Sequence, residues 1–247
     1  MTLERFFEQN REAALGFSGG VDSAYLLYAG LRYGARVQPY YIRTAFQPEF
    51  EYQDACRLSR ELGVELKVIP VDILSVDRVG ANPPNRCYYC KKALFGVLKQ
   101  QAAADGFHLL LDGTNASDDA SDRPGMAALR ELSVRSPLRE CGLTKDRIRE
   151  LSREAGLFTW DKPAYACLAT RVPAGEEITP EKLQKVEFGE KLLREMGYSD
   201  FRLRLFHGAA RIQLPRSQFA KAAAEADAIR AALGSRFDTV FLDLKGR

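Results

Sequence analysis

The chain has 247 residues, 46% hydrophobic and 28% charged, with 36 Lys plus Arg against 33 Asp plus Glu for a net charge of +3. That length holds one large domain, or one domain with a small companion, and a balance so near neutral gives no argument for nucleic acid as the partner. No apolar run approaches the roughly 18 residues of a membrane span, and the charged start MTLERFFEQNREAA lacks the apolar core of a signal peptide, so the expectation is a cytoplasmic protein with no membrane partner. In that compartment Cys56, Cys87, Cys90, Cys141 and Cys167 are better read as thiols or ligands than as disulfides.

In chain order, residues 2–11 can form a short leading helix. AALGFS reads as a small, apolar buried strand. Residues 23–33 read as a helix that Gly34 ends. RVQPYYIRTAF is a second strand, 48–63 a second helix ending at Gly63, and VELKVIPV a third strand. This alternation predicts parallel βαβ units. After a loop with Asn82-Pro83-Pro84, CYYCKKALFGVLKQQAAADG reads as a helix and FHLLLDGTN as a fourth strand. VRSPL is short and extended, and 144–157 is a helix with Thr144 as N-cap. After Trp160 the texture changes: DKPAYACLATRVPAGEEI has two prolines flanking the cysteine and no clear period. From Thr179 a compact unit reads as helix 180–196, strand 201–206, strand 209–214, helix 216–233 and strand 237–244. The expected division is 1–165, a loop or linker over 166–178, and a small α/β unit over 179–247.

The stretch Ser18-Gly-Gly-Val-Asp-Ser23 turns a buried strand straight into a helix. Glycines allow close approach and positive φ, the helix start supplies unpaired N–H donors and a positive dipole end, and Ser18 and Ser23 add hydroxyls. Such a corner cradles a pyrophosphate. It lacks the Lys of a Walker A loop and the spacing of GxGxxG. A Gly-Gly turn can also stand with no ligand, and Asp22 can be a simple helix-start acid. The segment resembles the signature of the PP-loop ATP pyrophosphatases, which implies that Ser18, Gly19, Gly20, Val21, Asp22 and Ser23 hold ATP, with Asp22 near Mg²⁺. Asp112, Asn115, Asp122 and Arg123 follow a strand, at the edge where open α/β sheets bind ligands, and an acid-rich loop there suits Mg²⁺; a plain polar turn is the other reading. Thr44, at the end of the second strand, is an adenosine candidate by the same geometry.

Cys87 and Cys90 stand at i and i+3 near a helix start, so both sulfurs can reach one metal or one another. Arg86, Lys91 and Lys92 favour thiolate. Half a zinc site or two buried thiols are the alternatives. Cys167 sits in a loop with Arg171 four residues on. With no evident fourth partner for zinc, three cysteines suit an iron–sulfur cluster with one open iron.

Together with these motifs, Arg86-Cys-Tyr-Tyr-Cys90-Lys, Leu111-Asp-Gly-Thr-Asn115, Asp122-Arg-Pro-Gly125, Pro163-Ala-Tyr-Ala-Cys-Leu-Ala-Thr-Arg171 and Arg202-Leu-Arg204 before His207-Gly208 resemble the LarE-type ATP-dependent sulfur transferases over nearly the full length. The resemblance implies a parallel-sheet PP-loop domain with a smaller C-terminal α/β domain, and a homo-oligomer. It implies a pyridinium dicarboxylate mononucleotide as substrate, in making the nickel-pincer nucleotide of lactate racemase. A carboxylate is adenylated by ATP with Mg²⁺, and sulfur then displaces AMP. The sulfur comes from a [4Fe–4S] cluster on Cys87, Cys90 and Cys167, or from Cys167 itself. Arg171, Arg202, Arg204, Arg123 and Asp122 are the candidates for the substrate's phosphate and carboxylates, although Arg202 and Arg204 alternate with leucines as any half-exposed strand does. Phe206 stands where the family often has a second His, and the family pattern usually continues past LDLKGR. A PP-loop tRNA thiolase is one competing reading, and a nucleotide-binding module without catalysis is another.

Overall fold

A computed structural model describes residues 1–118 and 124–247. The chain divides into two compact units. The first comprises Met1–Val79 and Asn85–Lys162; the second comprises Gly80–Pro84 and Pro163–Arg247.

The first unit is α/β. Helix α1 (Leu3–Gln9) precedes strand β1 (Glu12–Gly16), helix α2 (Val21–Arg32), strand β2 (Arg36–Arg43), helix α3 (Glu49–Glu61) and strand β3 (Lys67–Pro70). Helix α4 (Arg86–Ala104), the short strand β4 (Leu110–Leu111), and helices α5 (Pro124–Glu131), α6 (Pro137–Glu140) and α7 (Lys145–Glu154) complete it. The sheet order is β3-β2-β1-β4, all parallel. Alternation along β1 explains why both faces are covered. Ala13 and Leu15 join a core with Phe6, Leu26, Leu27 and Ile148. Ala14, on the opposite face, joins Tyr40, Leu98 and Phe107.

The chain winds from β1 to β2 to β3 in one direction, and β4 returns to the other side of β1. That reversal opens a crevice at the C-terminal ends of β1 and β4, the place where open parallel sheets bind ligands. The expected fourth strand is shorter than its apolar run because pairing with β1 covers only Ala14↔Leu110 and Leu15↔Leu111. The VRSPL segment, expected to be extended, contributes a single parallel bridge, Leu111↔Arg135, and turns into α6 at Pro137.

The second unit contains helix α8 (Pro180–Glu195), strands β5 (Arg202–Phe206) and β6 (Ala209–Gln213), helices α9 (Phe219–Ala224) and α10 (Ala226–Leu233), and strand β7 (Val240–Leu242). Thr179 caps α8 by accepting from Lys182 N at 3.3 Å, with Pro180 at the first helical position. Strands β5 and β6 form an antiparallel hairpin, and β7 pairs parallel to β6. His207 and Gly208, at φ 48° and 83°, make the two-residue turn, as the right-handed twist of a hairpin requires. The helix expected over 216–233 is broken: Glu225 leaves helical geometry between α9 and α10 and accepts from Tyr198 Oη at 2.8 Å. Residues 80–84 belong here because Gly175 N donates to Asn82 O and Ile178 N to Gly80 O, each at 2.8 Å. No described helix is long and apolar enough to cross a membrane.

Candidate active site

Strand β1 ends at Gly16 and α2 begins at Val21, so four residues make the corner. Gly19 takes φ +72°, and a Cβ there would lie 3.1 Å from the Ala55 backbone. Only glycine meets both conditions. Gly20 is the N-cap of α2 and offers no side-chain cap, so the first N–H groups of this helix are left for a ligand. The hydroxyls fix the loop: Ser18 Oγ and Ser23 Oγ lie 3.1 Å apart, Gly20 N donates to Ser18 Oγ at 3.3 Å, and Ser23 Oγ donates to Gly20 O at 3.2 Å. Val21 is buried in the core, which leaves its backbone for a ligand. On the facing strand end, a Cβ on Gly113 would sit 3.0 Å from Ser23 N, so a side chain there would push into the loop.

Above this corner is a cavity of about 520 Å³, lined by Ser18, Asp22, Ser23, Asp112, Thr114 and Cys87 among others. Asp22 accepts from Lys145 Nζ at 2.5 Å on one oxygen and from Asn115 Nδ2 at 3.3 Å on the other. Burial pushes its carboxyl above the usual range, and Lys145 opposes that rise. Asp112 is buried and accepts from Ser136 Oγ at 2.6 Å and from Thr114 N and Oγ1. Asn115 Oδ1 accepts from Ser117 N at 2.8 Å, which orients its amide toward Asp22. Three acids, Asp22, Asp112 and Asp118, line the cavity wall, and carboxylates suit Mg²⁺, a hard cation that prefers oxygen ligands.

Thr44 is buried at the end of β2, but its hydroxyl serves a turn, donating to Gln47 Oε1 at 2.7 Å and accepting from Phe46 N at 3.0 Å. It is not among the described residues that line the cavity. Asp122 and Arg123 lie outside the described residues. Two lysines went unnoticed in the sequence. Lys145 is the first residue of α7 after its Thr144 cap. A cation at the positive end of a helix is unfavourable, and that conflict was the available signal. Lys162 reaches Glu51 at 2.9 Å, Asp54 at 2.7 Å and Gly19 O at 3.5 Å, and so ties α3 to the loop.

Cys87 is exposed and lines the same cavity; Cys90, three residues on, is half-buried. The buried Arg86 places Nη2 3.8 Å from Cys87 Sγ. Cys56 and Cys141 are half-buried, and burial raises the Cys141 thiol. Among the described residues no three His, Cys, Asp or Glu side chains are grouped to hold a metal.

In the second unit Cys167 precedes a 3-10 turn (Leu168–Arg171). Arg171 is wholly buried, ion-paired to Glu190 at 2.8 Å. Arg202 Nη2 donates to Ala164 O at 2.5 Å and Nη1 to Phe201 O at 2.6 Å. Burial and then the nearby Arg171 lower the Arg202 guanidinium to about 10, and the same two causes lower Arg204. Arg204 donates to Gln213 Oε1 at 2.7 Å and to Thr170 O. Three guanidinia are thus crowded around one carboxylate, an arrangement that favours an added anion.

No family model matches the chain. An uncharacterised protein of Synechocystis is 37% identical over 99% of this chain and 92% of its own length. The pyridinium-3,5-bisthiocarboxylic acid mononucleotide synthase of Lactiplantibacillus plantarum is 32% identical, over 99% of this chain and 90% of its own. More distant is a tRNA-specific 2-thiouridylase of Thermotoga, 24% identical over 61% of this chain and 54% of its own. The likeness to the synthase is both closer and longer than that to the tRNA enzyme, and it agrees with a parallel sheet whose Ser-Gly-Gly-Val-Asp-Ser loop opens at the switch point. The chain belongs to the LarE-type ATP-dependent sulfur transferases of the PP-loop superfamily.

Proposed function

We propose that this protein converts carboxylates of pyridinium-3,5-dicarboxylate mononucleotide into thiocarboxylates, using ATP, for the nickel-pincer nucleotide of lactate racemase. The observation that carries the reading is one cavity in which the 18–23 loop, Asp22 and the Cys87 thiol are all lining groups. The loop and the first N–H groups of α2, from Val21 onward, hold the pyrophosphate end of ATP. A substrate carboxylate oxygen attacks the α-phosphorus, and pyrophosphate leaves with the charge that the helix end and Lys145 stabilise. Mg²⁺, when bound by Asp22 with Asp112 near, neutralises charge on the phosphates. Sulfur then attacks the acyl carbon and AMP departs. Arg202 and Arg204 receive the substrate's phosphate, a role supported by the positive field they share with the nearby Arg171. Asp122 and Arg123 belong to the same proposed set, with Thr44 and Asn115 toward adenosine.

For the sulfur source, Cys87, Cys90 and Cys167 would hold a [4Fe–4S] cluster, which when bound supplies a sulfide at the iron without a protein ligand. Two thiols one helical turn apart on α4, with Cys87 lining the cavity, support this donor set. In a second reading Cys167, just ahead of the 3-10 turn Leu168–Arg171, gives up its own sulfur. Its thiolate attacks the acyl adenylate and AMP leaves. Loss of the Cys167 α-proton then breaks Cβ–Sγ, releasing the thiocarboxylate and leaving dehydroalanine. Anaerobic purification with iron and sulfide assay, followed by mass spectrometry after turnover, separates the two. Bound iron with intact Cys167 supports the cluster, whereas a loss of about 34 Da at Cys167, one H₂S, supports sacrifice. A cytoplasmic homo-oligomer acting on a small nucleotide and on no nucleic acid completes the proposal, and light scattering and a salt-dependent tRNA shift check those two parts.

A further inference from the structure

The segment that carries Cys167 is fixed by one carboxylate. Glu190 lies on the buried face of α8 and makes four hydrogen bonds. Its Oε1 accepts from Arg171 Nε at 2.8 Å and Leu203 N at 3.1 Å; its Oε2 accepts from Tyr165 Oη at 2.5 Å and Arg171 Nη2 at 3.2 Å. Tyr165 is two residues before Cys167 and Arg171 four residues after it, so Glu190 holds the segment from both sides. Arg171 passes the constraint on, since its Nη1 donates to Ala166 O and Thr170 Oγ1 at 2.8 Å and to Cys167 O at 3.4 Å. Thr170 Oγ1 and N also donate to Cys167 O, at 2.8 and 3.0 Å. The Tyr165 ring lies under the Arg171 guanidinium at 4.5 Å. The carboxylate and guanidinium are 2% and 0% exposed. Apolar residues can often replace both partners of such a buried pair without loss of stability, although removing one partner alone is costly, so the pair is weak evidence of a stabilising role. What it fixes is where the Cys167 backbone sits.

We infer that Glu190 is a positioning residue for sulfur transfer, acting through Tyr165 and Arg171 to hold the Cys167 segment in its reactive placement. The inference rests on the role given to Cys167 under the proposed function. It assigns Arg171 to the cysteine, whereas the motif alone suggests a substrate ligand.

The test compares the full chain with Glu190→Gln, Tyr165→Phe and, as a control on the exposed side of the same helix, Glu195→Gln. Three readouts are taken: hydrogen exchange by peptide, iodoacetamide alkylation of Cys167 by mass spectrometry, and thiocarboxylate formation with the KM for ATP. Glu190→Gln is expected to raise exchange over 163–172 and to change Cys167 alkylation about tenfold. Product formation should fall about 100-fold, the cost of misplacing a reacting atom by about 1 Å, with the KM for ATP within about twofold. Tyr165→Phe should move the same readouts in the same direction by less, and it decides the matter if Glu190→Gln does not fold. Wild-type exchange over 163–172 with unchanged alkylation overturns the inference. So does exchange that rises evenly through the second unit, which marks a merely structural role. If wild type itself makes no thiocarboxylate, the functional reading fails, while exchange and alkylation still judge Glu190.

Discussion

Asp22 is held by two demands that oppose each other. In the proposed reaction it would be ionised to meet Mg²⁺ beside the phosphates, yet its surroundings raise its pKa, chiefly by burial. A carboxyl whose folded pKa lies above its unfolded value destabilises the fold once pH exceeds the unfolded value, because the native state then binds more protons. Asp22→Asn is therefore expected to raise the thermal midpoint at neutral pH and to abolish pyrophosphate release. The gain should fade as pH drops through the ordinary Asp value of 3.8 and vanish below about pH 3, where Asp22 is protonated in both states. A lowered midpoint at pH 7 by calorimetry contradicts this. Lys145, paired to Asp22 at 2.5 Å, is the second residue-scale case. Lys145→Gln removes the cation proposed to stabilise the leaving pyrophosphate, so kcat/KM for ATP should drop roughly ten- to hundredfold, and Lys145→Arg should recover part of it. Steady-state kinetics with unchanged ATP dependence would remove Lys145 from the site.

The β1–α2 corner shows what an element can reveal from sequence and what it cannot. Ser18-Gly-Gly-Val-Asp-Ser23 was legible as a strand-to-helix corner because glycine, hydroxyl and helix-start chemistry are all local. Its support was not legible. The contact of Gly19 with Ala55 joins residues 36 apart, and Lys162 reaches the loop from still farther along the chain. Gly19→Ala is expected to destabilise by about 1–2 kcal/mol, since φ +72° is a left-handed conformation, and to weaken ATP binding more than tenfold. Calorimetry and ATP titration check the two effects separately. In the second unit, the Arg202-Leu-Arg204 alternation was read as a pattern of exposed charge or of ligands. The structure buries Arg202 and turns both arginines onto carbonyls of the Cys167 segment. Period-2 alternation reports which face a residue shares, but not whether that face is covered.

At the scale of the whole molecule, the βαβ alternation carried the parallel sheet, and the return of the chain from β3 to β4 set the crevice. The break of the 216–233 helix at Glu225 escaped the sequence because a tertiary bond from Tyr198 competes there with helix propensity. The 80–84 segment joins the second unit through backbone bonds that no motif announces. The central claim is that ATP is cleaved in this crevice so that a carboxylate can accept sulfur. The most direct measurement is pyrophosphate release by anaerobically purified full-length protein with ATP, Mg²⁺ and pyridinium-3,5-dicarboxylate mononucleotide. The prediction is pyrophosphate and AMP formed only when the dicarboxylate is present, with a matching amount of thiocarboxylate by mass spectrometry and loss of all three products in Ser18→Ala by about 100-fold. Folded protein with iron and sulfide bound that releases no pyrophosphate under these conditions would contradict the account.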